Sequence, residues 1–281
     1  MPKDKQRLDL LLVERALCTS RQQAQRLIRA GAVKVGDRIV DKPGTVLALS
    51  AVITVKQKPP YVSRGGEKLA KALAQFDLDV RDRSCLDGGI STGGFTDCLL
   101  QAGAKQVFGV DVGYGQVAWQ LRQNPRVILK ERTNLRYLTA QDLYGGEYGG
   151  EAIADLGVID VSFISLTKVL PAMWQLLREP RDLVALIKPQ FEVGRERVGK
   201  QGVVRDSVAQ AEAIAQVLAA AVELGWQVQG LTYSPLTGPA GNVEYLTWLG
   251  QCSQPLPTLN EIKTLTQTAM KSLLRSTDAP N

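Results

Sequence analysis

The chain has 281 residues, 44% hydrophobic and 22% charged, with 34 Lys and Arg against 28 Asp and Glu for a formal charge of +6. It contains no histidine, which excludes a Ser-His-Asp or Cys-His nucleophile system, an HExxH zinc site and any imidazole acid or base. The four cysteines (Cys18, Cys85, Cys98, Cys252) have no CxxC spacing, so neither a metal site nor a disulfide framework is expected, and a reducing, cytoplasmic setting is.

Leu8, Leu11, Leu12 and Leu17 lie near helical spacing and predict a first short helix. Ser20 with Gln23 predicts a capping box that opens a second helix, with Ala24, Leu27 and Ile28 buried and Gly31 as its stop. Val33–Val35, the pair Gly36-Asp37 and Arg38–Val40 read as a hairpin, and Val52–Val55 as another strand. The prolines of KQKPPY (56–61) mark a stiff linker. The expected division is a domain over 1–58, a linker over 59–62, a large domain over 63–251 and a helical tail over 252–281.

Charge divides unevenly between these parts. Residues 1–60 hold 12 Lys and Arg against 5 Asp and Glu, while 61–281 hold 22 against 23. A net +7 in the first fifth of the chain points to a polyanionic partner, nucleic acid or an anionic membrane surface. The opening residues MPKDKQRLD lack an apolar core, so no signal peptide is expected. The uncharged stretch Leu224–Val243 is broken by prolines and glycines and does not read as a membrane span.

In the large domain, apolar β-rich runs alternate with helical stretches. Strands are expected at Ser84–Asp87, Gln106–Asp111, Arg126–Leu129, Ala152–Asp160, Leu183–Ile187, Gln227–Tyr233 and Glu244–Leu249. Helices are expected at Thr96–Gly103, Gln116–Leu121, Leu166–Leu177 and Val208–Leu224. This alternation predicts an α/β fold with a doubly wound, mainly parallel sheet, behind a small α+β domain. Ligands of such sheets bind beyond the carboxyl ends of the strands.

The loop after the first of these strands is Asp87-Gly-Gly-Ile-Ser-Thr-Gly-Gly-Phe95, and the next strand ends in Asp111. Glycines allow close approach of a ligand at a helix start, and the acidic residue suits the ribose hydroxyls of an adenosine-containing cofactor. Such a loop alone leaves a nicotinamide dinucleotide and S-adenosylmethionine nearly level; GxGxxG is missing, and the Asp-x-Gly form with a following Gly-Gly-Phe favours the methyl donor. Four charged residues stand at strand ends or loop edges: Lys68, Asp160, Lys188 and Glu244. With histidine absent, proton handling falls to such lysines and carboxylates.

The stretch SRQQAQRLIRAGAVKVGDRIV resembles the RNA-binding domain first described in ribosomal protein S-four. The resemblance covers about residues 6–55 and implies that Arg21, Gln22, Arg26 and Lys34, with Arg29 on the same polar face, contact RNA. The stretches YVSRGGEKL, LDGGISTGGFTD, DVGYGQVAW, ERTNLR, DVSFISL, IKPQFEVG and PLTGPAGNVEY resemble the TlyA (haemolysin A) family, whose catalytic domain is FtsJ-like, a Rossmann-like methyltransferase sheet. The family implies methyl transfer from S-adenosylmethionine to cytidine 2′-hydroxyls of ribosomal RNA, with ribosomal RNA or subunits as partner. Its tetrad falls on Lys68, Asp160, Lys188 and Glu244. Its cofactor loop falls on Asp87, Gly88, Gly89, Ser91, Thr92, Gly93, Gly94 and Phe95, its ribose acid on Asp111 and its adenine-side segment on Thr133 and Asn134. A non-catalytic ribosome-assembly factor and a membrane-active haemolysin are the competing readings.

Overall fold

The computed structural model describes residues 4–56, 59–145, 153–252 and 254–275. The chain divides into two units, Met1–Pro59 and Pro60–Asn281. Gln57 and Lys58 of the expected linker stretch lie outside the described residues.

The first unit runs β1 (Lys5–Arg7), α1 (Leu8–Glu14), α2 (Arg21–Arg29), β2 (Val33–Val35), β3 (Arg38–Ile39), β4 (Val46–Ala48) and β5 (Ile53–Val55). α1 stops at Glu14 because Ala16 takes a left-handed φ of 54°, so Leu17 falls outside the helix and is exposed. At the start of α2, Ser20 Oγ accepts from the Gln23 amide, as predicted. Gln23 Oε1, however, turns back to the Thr19 amide at 3.0 Å rather than to that of Ser20. Gly31 closes α2 in the left-handed region while Ala32 and Gly31 donate to Leu27 and Ile28, which satisfies the last carbonyls. β2 pairs with β3 across Gly36-Asp37 and with β5 on its other side. Leu8, Leu11, Leu12, Ala24, Ile28, Val33 and Ile53 form the core of this unit.

The second unit contains α3 (Gly65–Phe76), β6 (Ser84–Gly88), α4 (Gly94–Gln101), β7 (Gln106–Val110), α5 (Trp119–Arg122), β8 (Val127–Lys130), α6 (Ala140–Tyr144), β9 (Leu156–Ile159), α7 (Leu170–Leu176), β10 (Asp182–Ile187), α8 (Pro189–Glu192), α9 (Ser207–Glu223), β11 (Gln227–Tyr233), β12 (Tyr245–Gly250) and α10 (Leu259–Arg275). The strand expected over 152–160 begins at Leu156, and Ala152 lies outside the described residues. The sheet order is β11-β12-β10-β9-β6-β7-β8. β8, β7, β6, β9 and β10 are parallel, and β12 runs antiparallel to both its neighbours. The chain builds outward from β6 in one direction and from β9 in the other, so the switch point lies between these two strands.

Strand alternation sends Leu183, Ala185 and Ile187 into a core shared with α7, α9 and α10, and Val184 and Leu186 into a core shared with α3 and α4. Burial on both faces explains why these strands read as continuous apolar runs. The stretch expected as a tail contributes α10, which packs on α9 through buried Ile262, Thr266 and Ala269. At the amino ends of the strands, Arg83 donates to Asp155 Oδ1 (2.6 Å), the Asp155 carbonyl (2.9 Å) and Asp182 Oδ2 (2.8 Å), while Trp248 Nε1 donates to Asp182 Oδ1 (2.8 Å).

Candidate active site

The loop leaving β6 lies at the switch point. Gly89 has φ +85°, and a Cβ there would stand 2.7 Å from the Asp160 carbonyl, so only glycine allows the β6 and β9 ends to close this tightly. A Cβ on Gly94 would meet Ser63 Oγ at 2.2 Å and the Gly66 amide at 2.9 Å, which lets the 63–68 segment lie over the start of α4. Asp97 holds the same segment by accepting from the Val62 amide at 2.8 Å. Asp87 is buried beneath the loop, and its Oδ2 accepts from the Thr96 amide (3.0 Å) and hydroxyl (2.6 Å). Burial pushes its carboxyl up to about 7, against the Thr96 hydrogen bonds and with the Asp160 charge adding to the rise.

Asp111 follows β7 and organises two turns. Its Oδ2 accepts from the Ser91 amide at 2.8 Å and its Oδ1 from the Gly113 amide at 2.7 Å. Each oxygen keeps a lone pair for another donor. Asn134 caps the short turn Leu135–Tyr137 by accepting from the Arg136 amide.

The four charged residues form two close pairs. Lys188, just past β10, places Nζ 2.6 Å from Asp160 Oδ1, just past β9, and donates to Ser162 Oγ at 2.9 Å. The first contact is an ion pair without hydrogen-bond alignment, and Asp160 Oδ1 accepts no hydrogen bond among the described residues. Lys68 on α3 donates to Glu244 Oε2 at 2.5 Å, and both are buried. Glu244 precedes β12, and because β12 is antiparallel its beginning lies at the carboxyl edge of the parallel strands, with Tyr245 opposite Ile187. The four therefore gather at one edge, although Lys68 arrives on a helix and Glu244 on a reversed strand.

Two cavities meet there. The larger, about 370 Å³, is lined by Gly89, Ser91, Val110, Asp111, Val112, Gly113, Gln116, Thr133, Asn134, Leu135, Asp160 and the 161–164 segment. The smaller, about 150 Å³, is lined by Arg64, Lys68, Gly89, Ser91, Thr92, Gly94, Phe95, Asp160, Thr237 and Pro239 among others. Gly89, Ser91 and Asp160 belong to both. Asp87, Gly88 and Gly93 are buried and line neither, so they shape the loop from below.

Ser162, Leu135, Gln116 and Arg64 were not singled out by sequence reasoning, although each falls inside a quoted motif. Phe163 is also new: it is 91% exposed with φ 65°, and its ring lies 5.2 Å from that of Phe191. A bulky residue in the left-handed region is strained, at a cost of about 1–3 kcal/mol.

In the first unit, Arg21, Gln22, Arg26, Arg29 and Lys34 are all exposed. Arg21 is not entirely free, because its Nε donates to Asp9 Oδ2 at 3.0 Å. Asp9 is buried and also accepts from Arg7 and Gln25. The Arg7 guanidinium holds its carboxyl well below the usual carboxylate range, against the burial that pushes it up.

Among the described residues no cluster of His, Cys, Asp or Glu is placed to hold a metal, and no helix is long and apolar enough to cross a membrane. The S4 domain family matches residues 6–53 and the FtsJ-like methyltransferase family residues 61–251. The chain is 48% identical over 245 residues to the 16S/23S rRNA (cytidine-2′-O)-methyltransferase TlyA of Mycobacterium tuberculosis, covering 86% of this chain and 89% of that one. It is 47% identical to YqxC of Bacillus subtilis across 97% of both chains. A solved structure from Streptococcus thermophilus, described as a hemolysin, matches with a TM-score of 0.73 at 41% identity, covering 98% of this chain and 99% of that one. The chain belongs to the FtsJ-like methyltransferase family, in the TlyA group, with an S4 domain ahead of its methyltransferase domain.

Proposed function

We propose that the chain transfers a methyl group from S-adenosylmethionine to the 2′-hydroxyl of a cytidine in ribosomal RNA, the modification named for its M. tuberculosis relative. The observation that carries this reading is the pair of cavities joined at Gly89, Ser91 and Asp160, one over Asp111 and one beside Lys68. A methyl donor and an acceptor in adjoining cavities would meet at that junction.

The residues fit the cofactor. The larger cavity offers Asp111 lone pairs for ribose hydroxyls, apolar walls at Val110, Val112 and Leu135 for an adenine ring, and the glycine loop for the amino-acid end. When bound, S-adenosylmethionine supplies an activated sulfonium methyl group.

The acceptor hydroxyl is a weak nucleophile, so the protein must align it and direct its proton away. Lys188 is assigned to that proton; it lines neither cavity itself, and its amine is held by Asp160, which lines both, and by Ser162, which lines the larger. Lys68, anchored by Glu244, sets a positive charge on the wall of the smaller cavity, where it steadies the ribose and its phosphates. Arg21, Gln22, Arg26, Arg29 and Lys34 of the S4 unit supply affinity for the RNA backbone and contain no chemistry of their own.

The test is transfer of labelled methyl from S-adenosylmethionine to ribosomal RNA by the full chain, with Asp111→Ala as its partner measurement. We expect label on a cytidine ribose, and a cofactor affinity weaker by about 1.5–3 kcal/mol in the variant. Absence of transfer with RNA binding retained would favour the assembly-factor reading instead.

A further inference from the structure

We infer that the stretch 195–205, between α8 and α9, is a cationic rail that grips the RNA phosphates flanking the target nucleotide. The inference rests on the reading of the site as an RNA methyltransferase centre.

The connection runs from Glu192 to Ser207 and contains only two short 3-10 turns, Arg195–Arg197 and Lys200–Gly202. Long surface connections held on a rigid scaffold often carry function. This one is firmly held. Val203 and Val204 are buried, the Gly199 amide donates to the Val203 carbonyl, and Gln210 Nε2 donates to the Val204 carbonyl at 2.6 Å. Asn242, only 3% exposed, accepts from the Val204 amide at 3.0 Å and donates to the Gly202 carbonyl at 2.8 Å.

Asn242 also fixes where the stretch lies. Its carbonyl accepts from the Gly238 amide at 2.8 Å, in the loop whose Thr237 and Pro239 line the smaller cavity, and Glu244 follows two residues later. The rail is therefore pinned directly to the wall of the proposed acceptor cavity, and its other end leaves from the short helix that follows Lys188.

Only part of the charge on the rail is spent internally. Arg197 is taken by Asp206 and Glu212. Arg195, Lys200 and Arg205 are exposed and make no ion pair or side-chain hydrogen bond among the described residues, with Glu196 the one exposed carboxylate between them. Residues 61–281 carry no excess of positive charge, 22 Lys and Arg against 23 Asp and Glu. Three unpaired cations on one pinned segment are thus a local concentration rather than a share of a basic background. Because the backbone is already ordered, little further entropy is lost when phosphates are gripped. A membrane surface is the poorer match, since a lipid-binding segment presents apolar side chains for insertion and the rail's valines 203 and 204 point inward.

The experiment uses the full chain with Arg195→Gln, Lys200→Gln and Arg205→Gln combined, and reads RNA dissociation constants between 50 and 200 mM salt. Each phosphate contact contributes about 0.7–0.9 to the slope of log affinity against log salt. The affinity lost across that fourfold range should therefore be about 20- to 40-fold smaller in the variant, with weaker RNA binding at 50 mM. S-adenosylmethionine affinity by calorimetry and the melting temperature should match the parent. An unchanged dissociation constant and slope for RNA would overturn the rail, as would a loss of binding confined to phosphatidylserine vesicles. Parent protein that transfers no methyl group would defeat the methyltransferase reading, while the binding comparison would still decide the rail.

Discussion

Both ends of the parallel strands carry ion pairs, Arg with Asp at the amino edge and Lys with Asp or Glu at the carboxyl edge, and they differ in what they face. At the amino edge, Arg83 divides its donors between Asp155 and Asp182, and Trp248 takes the remaining Asp182 oxygen. Neither Arg83 nor its two carboxylates lines either cavity of the proposed site. At the carboxyl edge, Lys188 Nζ lies 2.6 Å from Asp160 Oδ1 and Lys68 donates to Glu244; Asp160 and Lys68 stand on the cavity walls, while Lys188 and Glu244 back them from behind and line neither cavity. The first cluster closes upon itself and ties four strands together, β6, β9, β10 and β12. The second leaves a carboxylate and an ammonium on cavity walls, which is what a site that must engage something else requires. A buried ion pair alone is weak evidence of either role; a charged member standing on a cavity wall separates them.

The contrast is exposed most sharply at Lys188. Lys188→Ala should lower single-turnover methyl transfer by about 10²–10⁴-fold while cofactor and RNA affinities stay within a few-fold. Lys188→Arg keeps the positive charge but cannot lose a proton, so it should fail nearly as badly if the amine acts as a base. Near-normal transfer by the alanine variant would remove the distinction between the two edges. Arg83→Ala should do the reverse. It strands two carboxylates at an edge where Arg83 is 18% exposed, so the loss is set below that of a fully buried pair, at about 2–3 kcal/mol. Calorimetric unfolding should show that loss, with transfer per folded molecule unchanged. A selective fall in activity would place function at the wrong edge.

The last test concerns Asp87. Its folded value near 7 lies above that of an unfolded carboxyl, so the folded state binds the extra proton between about pH 4 and 7. Its contribution is most favourable below that window and is lost as pH rises through 7. Asp87→Asn supplies a permanently neutral side chain and should reduce the fall in melting temperature between pH 5 and pH 8 relative to the parent. Identical pH dependence in the two proteins would mean that Asp87 does not titrate in this range.

Much of this was legible because both faces of the sheet are covered. The strands therefore read as unbroken apolar runs, and the glycine loop, Asp111 and the four charged residues fall inside quoted motifs. α3 was overlooked even though Leu69, Ala72, Leu73 and Phe76 keep helical spacing, because Gly65 and Gly66 are poor helix formers at its start. β1 and β4 were missed because three-residue strands such as Lys5–Arg7 carry no readable alternation. Asn242 and Ser162 could not be singled out. Their importance depends on which distant backbone or ammonium group the fold brings to them, and no local pattern encodes that.

The buried carboxylate of Asp9 has a consequence for how the S4 unit handles a phosphate. Because Arg21 spends its Nε on Asp9, only the outer Nη edge of its guanidinium remains for a ligand. A planar fork anchored at its back can be approached from one side and in one plane. A phosphate that meets Arg21 must arrive at that outer edge, so the buried Asp9 carboxylate sets the direction of the contact without touching the ligand.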